Sequence, residues 1–193
     1  MEKIIKPRWE WRTFADDFSK LSFLQTEKKN GHEKSDEDWY LLSKTGNNNV
    51  KFRKGVLDVK SLKETDSNGL ECWKPELRMN FPTTSQQIIK LHNFLQEIPL
   101  PDKTGEYSFT DFILNFILNN KQLTIIKTSK KRQIYVINQC IVEYVKGTFD
   151  GMAFQSICVE HTDPQLVLET IARLKLESHS NVSYLKKLKQ ISK

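Results

Sequence analysis

The sequence Arg8-Trp9-Glu10-Trp11-Arg12 alternates charged and aromatic side chains at every position. In a β-strand successive side chains point to opposite faces, so this stretch would place Arg8, Glu10 and Arg12 on one face and both tryptophans on the other. A helix would scatter the same residues around its circumference. The stretch therefore predicts a first strand with one charged face and one apolar face.

The same alternation recurs further along the chain. Lys51 and Arg53 alternate with Val50 and Phe52, and Lys60 lies in a similar pattern over residues 56–62. Residues 38–44 and 49–54 flank Thr45-Gly46-Asn47-Asn48, which is a strong turn signal between two strands. These segments predict a hairpin followed by another strand, again with cations on one face.

The remaining periodicities predict an α+β fold. Further strands are expected at 70–74, where Pro75 ends the strand, and at 122–137, 140–146 and 152–161. Helices are expected at 84–98, from Ser108, from Asp163-Pro164 to about residue 176, and at 182–191. The charged segment 26–37 is expected to be a mobile loop. We predict one domain over residues 1–193: a closed or nearly closed antiparallel barrel of about eight strands, with helices packed outside.

Composition narrows the class of protein. The chain has 193 residues, a net charge of +6 and a hydrophobic share of 38%. No apolar run approaches the roughly 20 residues of a membrane-spanning helix, and no secretory signal is visible, so a cytoplasmic protein without membrane contact is expected. An odd number of cysteines without a CxxC pair indicates reduced thiols.

Charges at alternate positions of several strands allow two interpretations. They could form a solvated outer face, which is the ordinary arrangement for any one strand. In a closed barrel they would instead line a hydrated interior, with the apolar residues outside against helices. Clustered cations there favour a bound anion, and interleaved carboxylates could hold a divalent metal.

The charged positions resemble the signature of the CYTH superfamily of triphosphate tunnel enzymes, which includes thiamine triphosphatase, inorganic triphosphatases and class IV adenylyl cyclases. That signature begins with ExExK, which is degenerate here because Arg8 replaces the first Glu and Arg12 replaces the Lys. The match continues over nearly the whole chain through Lys51-x-Arg53, Asp58-x-Lys60, Lys130-x-Arg132, Glu143 and Glu160. Cys158 stands where such enzymes often carry another carboxylate.

The resemblance implies a role for each matched residue. Metal ligands for Mg²⁺ or Mn²⁺ would be Glu10, Glu143 and Glu160, and the catalytic residues would be Glu10 and Glu160. Phosphate-binding residues would be Arg8, Arg12, Lys51, Arg53, Lys60, Lys130 and Arg132. Glu71 sits beside a turn and is expected at the surface, and the four histidines show no metal-ligand spacing.

Three functions follow from these observations. The first is a metal-dependent phosphohydrolase acting on a triphosphate, polyphosphate or nucleoside triphosphate. The second is a non-catalytic module with the same fold that holds such an anion, which Arg8 and Cys158 favour. Nucleic-acid binding with stacking tryptophans is disfavoured, because the alternation of Trp9 and Trp11 suits packing better than exposure. The sequence leaves the oligomeric state open.

Overall fold

A computed structural model describes residues 6–26 and 31–192. Its strands are β1 (Arg8–Ala15), β2 (His32–Ser43), β3 (Asn49–Arg53), β4 (Val56–Thr65), β5 (Glu71–Asn80), β6 (Thr83–Thr84), β7 (Glu106–Tyr107), β8 (Leu123–Ile137), β9 (Cys140–Phe149) and β10 (Met152–His161). Its helices are α1 (Ser22–Thr26), α2 (Ser85–His92), α3 (Phe109–Phe112), α4 (Pro164–Arg173) and α5 (Tyr184–Ile191), and α3 continues into a π-helical turn, Ile113–Ile117.

Eight of these strands close an antiparallel barrel in the order β1-β10-β9-β8-β2-β3-β4-β5, and β6 pairs separately with β7. The register places Glu10 opposite Glu160 and Arg12 opposite Cys158 on neighbouring strands. Cys158 in turn lies opposite Glu143. The predicted α+β barrel of about eight strands is confirmed.

The chain forms two compact units. The first comprises Met1–Glu37, Leu62–Lys74 and Thr128–Lys193, and the second comprises Asp38–Ser61 and Pro75–Lys127. The single domain expected over residues 1–193 stays a prediction.

The core of the first unit lies between its strands and α4. Trp11, Val142 and Val159 are buried and pack in one cluster with Val167 and Ile171 of α4. Because they come from alternate positions of their strands, the charged neighbours Glu10, Arg12, Glu143 and Glu160 point to the other side of the sheet. The expectation that the first strand turns its tryptophans toward a helix is confirmed.

The core of the second unit follows the same plan. Val50, Phe52, Leu57 and Val59 are buried from β3 and β4. They cluster with side chains of α2, α3 and the turn after it, namely Ile88, Leu91, Phe112, Phe116 and Ile117. Both capping boxes are present, with Thr84 and Gln87 at α2 and Ser108 and Asp111 at α3. The apolar faces predicted for these strands and helices therefore meet.

Two strands, β2 and β5, differ most from the bounds that the sequence predicts. The expectation of a loop over 26–37 is wrong from residue 32, where β2 begins; residues 27–30 lie outside the described part. The polar stretch is extended because Asp36 and Asp38 turn inward and are buried. The expected strand end at Pro75 is also wrong, since β5 runs to Asn80. Proline is tolerated there because the pairing of β5 with β1 ends at Trp73, opposite the first residue of β1.

The helix expected over residues 84–98 ends earlier, at His92. Leu95 and Ile98 are nevertheless buried in the same apolar cluster, which the chain reaches through turns. Side-chain amides accommodate this path: Asn48 donates to the carbonyl oxygen of Phe94, and Asn120 donates to that of Glu97. Hydrogen bonds from distant asparagines thus replace those of a continued helix.

Two further expectations concern membranes and thiols. Within residues 6–26 and 31–192, no helix is long and apolar enough to cross a membrane. Cys72, Cys140 and Cys158 are free and buried, as the odd cysteine count indicates.

Two valines of the first unit offer a matched test of this packing. Val159 is fully buried, whereas Val136 is 76% exposed. We expect Val159→Ala to lower the free energy of unfolding by about 2 kcal/mol, because apolar contact is lost and a cavity remains. Val136→Ala should change it by less than about 0.5 kcal/mol. Equal effects in urea unfolding of the two variants would contradict the placement of these strands.

Candidate anion-binding site

A chain of alternating charges crosses the face of the first unit that lies away from α4. Arg12 Nε donates to Glu10 Oε1 at 3.1 Å, and its Nη2 lies 3.5 Å from Glu143 Oε2. Arg132 Nη1 donates to the other oxygen of Glu143 at 2.8 Å, and its Nη2 donates to Asp36. The order Glu10–Arg12–Glu143–Arg132–Asp36 links side chains of β1, β9, β8 and β2.

Three more charged residues extend this chain. Arg8 Nη1 lies 3.1 Å from Glu160 Oε1, and Lys130 is buried on the same face of β8 as Arg132. We call the whole set the charged cluster; its members are Arg8, Glu10, Arg12, Asp36, Lys130, Arg132, Glu143 and Glu160. Four of them are cations and four are carboxylates, so the cluster is formally neutral.

Burial and pairing together set the ionisation of the central members. Burial raises the pKa of Glu143, but Arg12 and Arg132 outweigh it and hold that pKa below its ordinary value. Burial likewise lowers the pKa of the Arg12 guanidinium, and neighbouring groups that include the carboxylates of Glu10 and Glu143 more than offset this, so its pKa is raised well above normal. The same balance, with burial opposed mainly by Glu143 and Asp36, raises the pKa of Arg132.

Cys158 lies within the row formed by Arg12 and Glu143. It is 2% exposed, and its register partners are Arg12 on β1 and Glu143 on β9. Burial raises the pKa of the thiol well above its ordinary value, despite the nearby Arg12. The position that the resemblance associates with a further carboxylate is therefore occupied here by an uncharged group.

The second unit holds the other predicted phosphate-binding residues. Arg53 donates from Nη2 to Asp38 Oδ2 at 2.7 Å, and its Nε donates to the other oxygen of Asp38. Lys51 lies opposite Asp58 on β4, and Lys60 lies opposite Asn49 on β3. These residues alternate with the buried core positions, as the sequence predicts. Their sharing one cavity with the charged cluster stays a prediction.

Several residues of the site were missed or misplaced by the sequence. Asp36 and Asp38 fell in or beside an expected loop, although their spacing of two with Tyr40 is the alternation of a strand. Glu71, expected at the surface, is 1% exposed; it accepts from Trp73 Nε1 at 3.1 Å and pairs with Lys186. No local pattern indicated that Tyr184 packs between Arg12 and Lys130.

The predicted metal ligands Glu10, Glu143 and Glu160 all belong to the charged cluster, and their binding of a metal stays a prediction. Across the described ranges 6–26 and 31–192, no set of three or more His, Cys, Asp or Glu side chains is placed to hold a metal ion. Glu10 and Glu160 lie opposite each other on β1 and β10, whereas Glu143 is held between two guanidinium groups.

Comparison with known proteins supports the fold. No protein-family model matches the chain, and no curated protein matches its sequence. A structure of a candidate adenylate cyclase from Bacillus halodurans is similar, with a TM-score of 0.53, 18% identity and 100% of both chains covered. HpAC1 from Hippeastrum, a candidate adenylyl cyclase described as having a dominant triphosphatase activity, has a TM-score of 0.53 at 14% identity over 95% of each chain. A conserved hypothetical protein from Pyrococcus furiosus gives 0.50 at 16% identity, covering 93% of this chain and 98% of its own.

The lowered pKa of Glu143 predicts a pH-dependent contribution to stability. Its ionised form should stabilise the fold above the ordinary pKa of 4.5, and the effect should be lost as the pH falls through the lower folded-state pKa. At neutral pH we expect Glu143→Gln to cost about 1.5–3 kcal/mol, because two guanidinium groups lose a charged acceptor.

Melting curves from neutral to acidic pH test this, with the exposed Glu177→Gln as control. The difference between wild type and Glu143→Gln should shrink below pH 4.5. A constant difference across the range would show that Glu143 does not act through its charge.

Proposed function

We propose that the charged cluster binds the phosphate groups of a triphosphate- or polyphosphate-bearing anion, and that the protein is a divalent-metal-dependent phosphohydrolase. One observation carries the proposal. The Nε of Arg132 is buried without a hydrogen-bond acceptor among the described residues, although Glu143 and Asp36 engage the two terminal nitrogens. A guanidinium presents its donors in a planar fork that matches phosphate oxygens, so a phosphoryl group supplies the kind of acceptor this donor requires.

The charge balance of the cluster favours an anion that arrives with a cation. Its four cations are already matched by four carboxylates, so a bare triphosphate would meet repulsion from Glu10, Glu143 and Glu160. A divalent cation bound with the phosphate chain offsets that repulsion. We therefore expect triphosphate to bind more tightly with Mg²⁺ or Mn²⁺ than without either.

Glu10 and Glu160 fit such a metal. They are direct partners on neighbouring antiparallel strands, and opposite side chains of such a pair have Cβ atoms about 4.5–5.5 Å apart. Mg²⁺ in phosphate sites commonly takes one or two carboxylates, with phosphate oxygens and water completing its shell. Glu143 contacts two guanidinium groups, those of Arg12 and Arg132, and would have to release both. Glu10 would have to release Arg12, and Glu160 would have to release Arg8. We assign the metal to Glu10 and Glu160 first.

In the proposed reaction a water oxygen attacks a terminal phosphorus, and the bond from that phosphorus to the bridging oxygen breaks. The bridging oxygen keeps the electron pair and leaves with the shortened chain, orthophosphate is released, and the proton that the water loses passes to solvent. A metal held by Glu10 and Glu160 would supply charge stabilisation on the phosphate oxygens and a template for the attack. Arg12 and Arg132 hold equatorial oxygens, where their fixed positive charge opposes the charge that builds up. Lys51, Arg53, Lys60, Lys130 and Arg8 keep the phosphate-binding role that the sequence predicts for them.

One structural neighbour favours a hydrolase, whereas another is described as a candidate adenylate cyclase. HpAC1 shares the fold and is described as having a dominant triphosphatase activity. This likeness and the order of charged positions along the strands also support a place for the chain in the CYTH superfamily.

A first experiment combines melting scans with a phosphate-release assay. Triphosphate, long-chain polyphosphate, ATP and thiamine triphosphate are each offered with Mg²⁺, with Mn²⁺ or with neither. We expect triphosphate with metal to raise the melting temperature, because a ligand bound only by the folded state stabilises it, by about 2.7 kcal/mol at a hundredfold excess over Kd. Stabilisation by nucleic acid and not by triphosphate would refute the proposal.

Substitution of the proposed metal ligand gives a second test. Glu10→Gln should reduce phosphate release at least about a hundredfold. The lost carboxylate would help hold the metal, whose charge stabilises the transition state more than the bound substrate. Triphosphate affinity should change far less. Arg132→Gln should instead weaken binding as well as turnover, and Glu177→Gln serves as the control. Turnover of Glu10→Gln at the wild-type rate would exclude Glu10 from the metal site.

A non-catalytic anion-binding module is the second candidate. The ion pair between Arg8 and Glu160 favours it, since Arg8 stands where the related signature has a Glu and engages one of the carboxylates assigned to the metal. In that case triphosphate should bind without metal-dependent phosphate release, and Glu10→Gln should leave affinity unchanged or raise it. Calorimetry of triphosphate binding with and without Mg²⁺, run beside the release assay, separates the two functions.

A further inference from the structure

An aromatic side chain of the C-terminal helix lies against two cations of the charged cluster. The ring centroid of Tyr184 is 4.2 Å from Arg12 Cζ and 4.4 Å from Lys130 Nζ. Tyr184 itself is 6% exposed. Distances of this kind are those of cation–π contacts, so the ring is in direct contact with groups to which we assign phosphate binding.

Three phenylalanines surround the same ring. Phe14 lies 5.4 Å from the Tyr184 centroid, and Phe149 and Phe154 each lie 6.0 Å from it, all close to edge-on. Phe14 is two residues beyond Arg12 on β1 and therefore shares its face. Moving along this face from Glu10, charged side chains give way to an aromatic wall.

The backbone of β9 is adapted to this wall. The rings of Phe149 and Phe154 stack at 3.9 Å between centroids, and Phe154 lies opposite Gly147. A Cβ on Gly147 would meet the Phe154 ring at 2.9 Å and the carbonyl oxygen of Ser129 at 2.2 Å. The rings can lie this close to the strand because residue 147 has no side chain.

Several contacts hold Tyr184 in position. Ser183 caps α5 by accepting from the backbone N–H of Lys186, and Leu185 and Leu188 are buried on the same helix. The side chain of Lys186 forms an ion pair with the buried Glu71, and the N–H of Val182 donates to the carbonyl oxygen of Arg12 at 2.6 Å. The ring is fixed by the helix on one side and by β1 on the other.

We propose that Tyr184 determines substrate length by closing this end of the anion site, so that the site accepts the terminal phosphates of a chain and excludes its internal segments. This inference rests on the proposed function. Phosphates further along a chain would have to pass among three phenylalanine rings, which offer no donors for their oxygens, and the ring of Tyr184, whose one hydroxyl lies 3.5 Å from Ser156 Oγ. A charge without enough partners in such surroundings is strongly disfavoured. A long polyphosphate could then enter only by one of its two ends.

Binding stoichiometry tests this directly. Tripolyphosphate and long-chain polyphosphate are mixed with the protein and Mg²⁺, and the number of protein molecules per chain is measured by sedimentation. End recognition limits that number to about two whatever the chain length, whereas binding along the chain makes it grow with length. The polyphosphate is then run on a gel. Loss of terminal phosphates one at a time agrees with the proposal, and fragments of intermediate length overturn it.

Variants of Tyr184 sharpen the result. Tyr184→Phe keeps the ring and should keep the limit of two proteins per chain. Tyr184→Ala opens the wall and should allow several proteins per long chain, or internal cleavage, while tripolyphosphate still binds. If Tyr184→Ala does not fold, as judged by its melting curve, the wild-type stoichiometry still decides.

The outcomes separate this inference from the function on which it rests. If wild type binds tripolyphosphate but its stoichiometry rises with chain length, the length limit is wrong and the anion site stands. If Tyr184→Ala folds and keeps the wild-type limit, another feature closes the site. If wild type binds neither anion, the proposed function fails and the length limit fails with it.

Discussion

The alternating chain Glu10–Arg12–Glu143–Arg132–Asp36 is the constraint on which the first unit depends. Burying any one of these charges alone would be costly, and the structure avoids this by giving each a partner of opposite sign. Glu10 and Arg12 share β1, and every other pair joins two strands. The pairs Arg12–Glu143 and Arg132–Asp36 join strands far apart in sequence, so the chain also fixes which strands must be brought together. Packing of Trp11, Val142 and Val159 against α4 on the opposite face supplies the favourable burial.

This arrangement gives the two faces of the sheet different roles. The face toward α4 is apolar and uses ordinary close packing, so its stability should be insensitive to pH and salt. The charged face is neutral as a whole, but it is made of groups that a phosphate chain and a divalent cation could each engage. A site of this kind would bind its ligand by exchanging ion-pair partners. Arg12 and Arg132 would contact phosphate oxygens, and the carboxylates that they now contact would bind a metal.

Much of the fold could be predicted because period-two alternation is a local property. Arg8 to Arg12, Lys51 with Arg53, and the turn after Ser43 each indicate their structure within a few residues. The expectations that were wrong concern structure that depends on contacts between residues distant in sequence. The start of β2 was missed because residues 32–37 are polar on both faces, and only the distant Arg132 explains why Asp36 is inside. Likewise α2 ends at His92 because of contacts that no local pattern displays.

The same reasoning applies to the candidate site. Glu10, Arg12, Arg132 and Glu143 could be selected from alternation and family resemblance, and the structure places them in contact. Tyr184 could not be selected, because it lies in a basic amphipathic helix whose docking position depends on Glu71 and the phenylalanine rings. The sequence also does not reveal which cation pairs with which carboxylate, because that depends on how the strands are paired in the fold. The ion pair between Arg8 and Glu160 is an example.

Cys158 adds a chemical property to the centre of this protein that a carboxylate there would not have. A thiol in the row between Arg12 and Glu143 is shielded by the closed barrel and kept protonated by burial, so alkylating reagents should react with it slowly. Any motion that lets the reagent reach Cys158 itself would expose a nucleophile to it. The labelling rate of Cys158 would therefore report how often the barrel opens, without an introduced probe. Peptide mass distinguishes its labelling from that of Cys72 and Cys140.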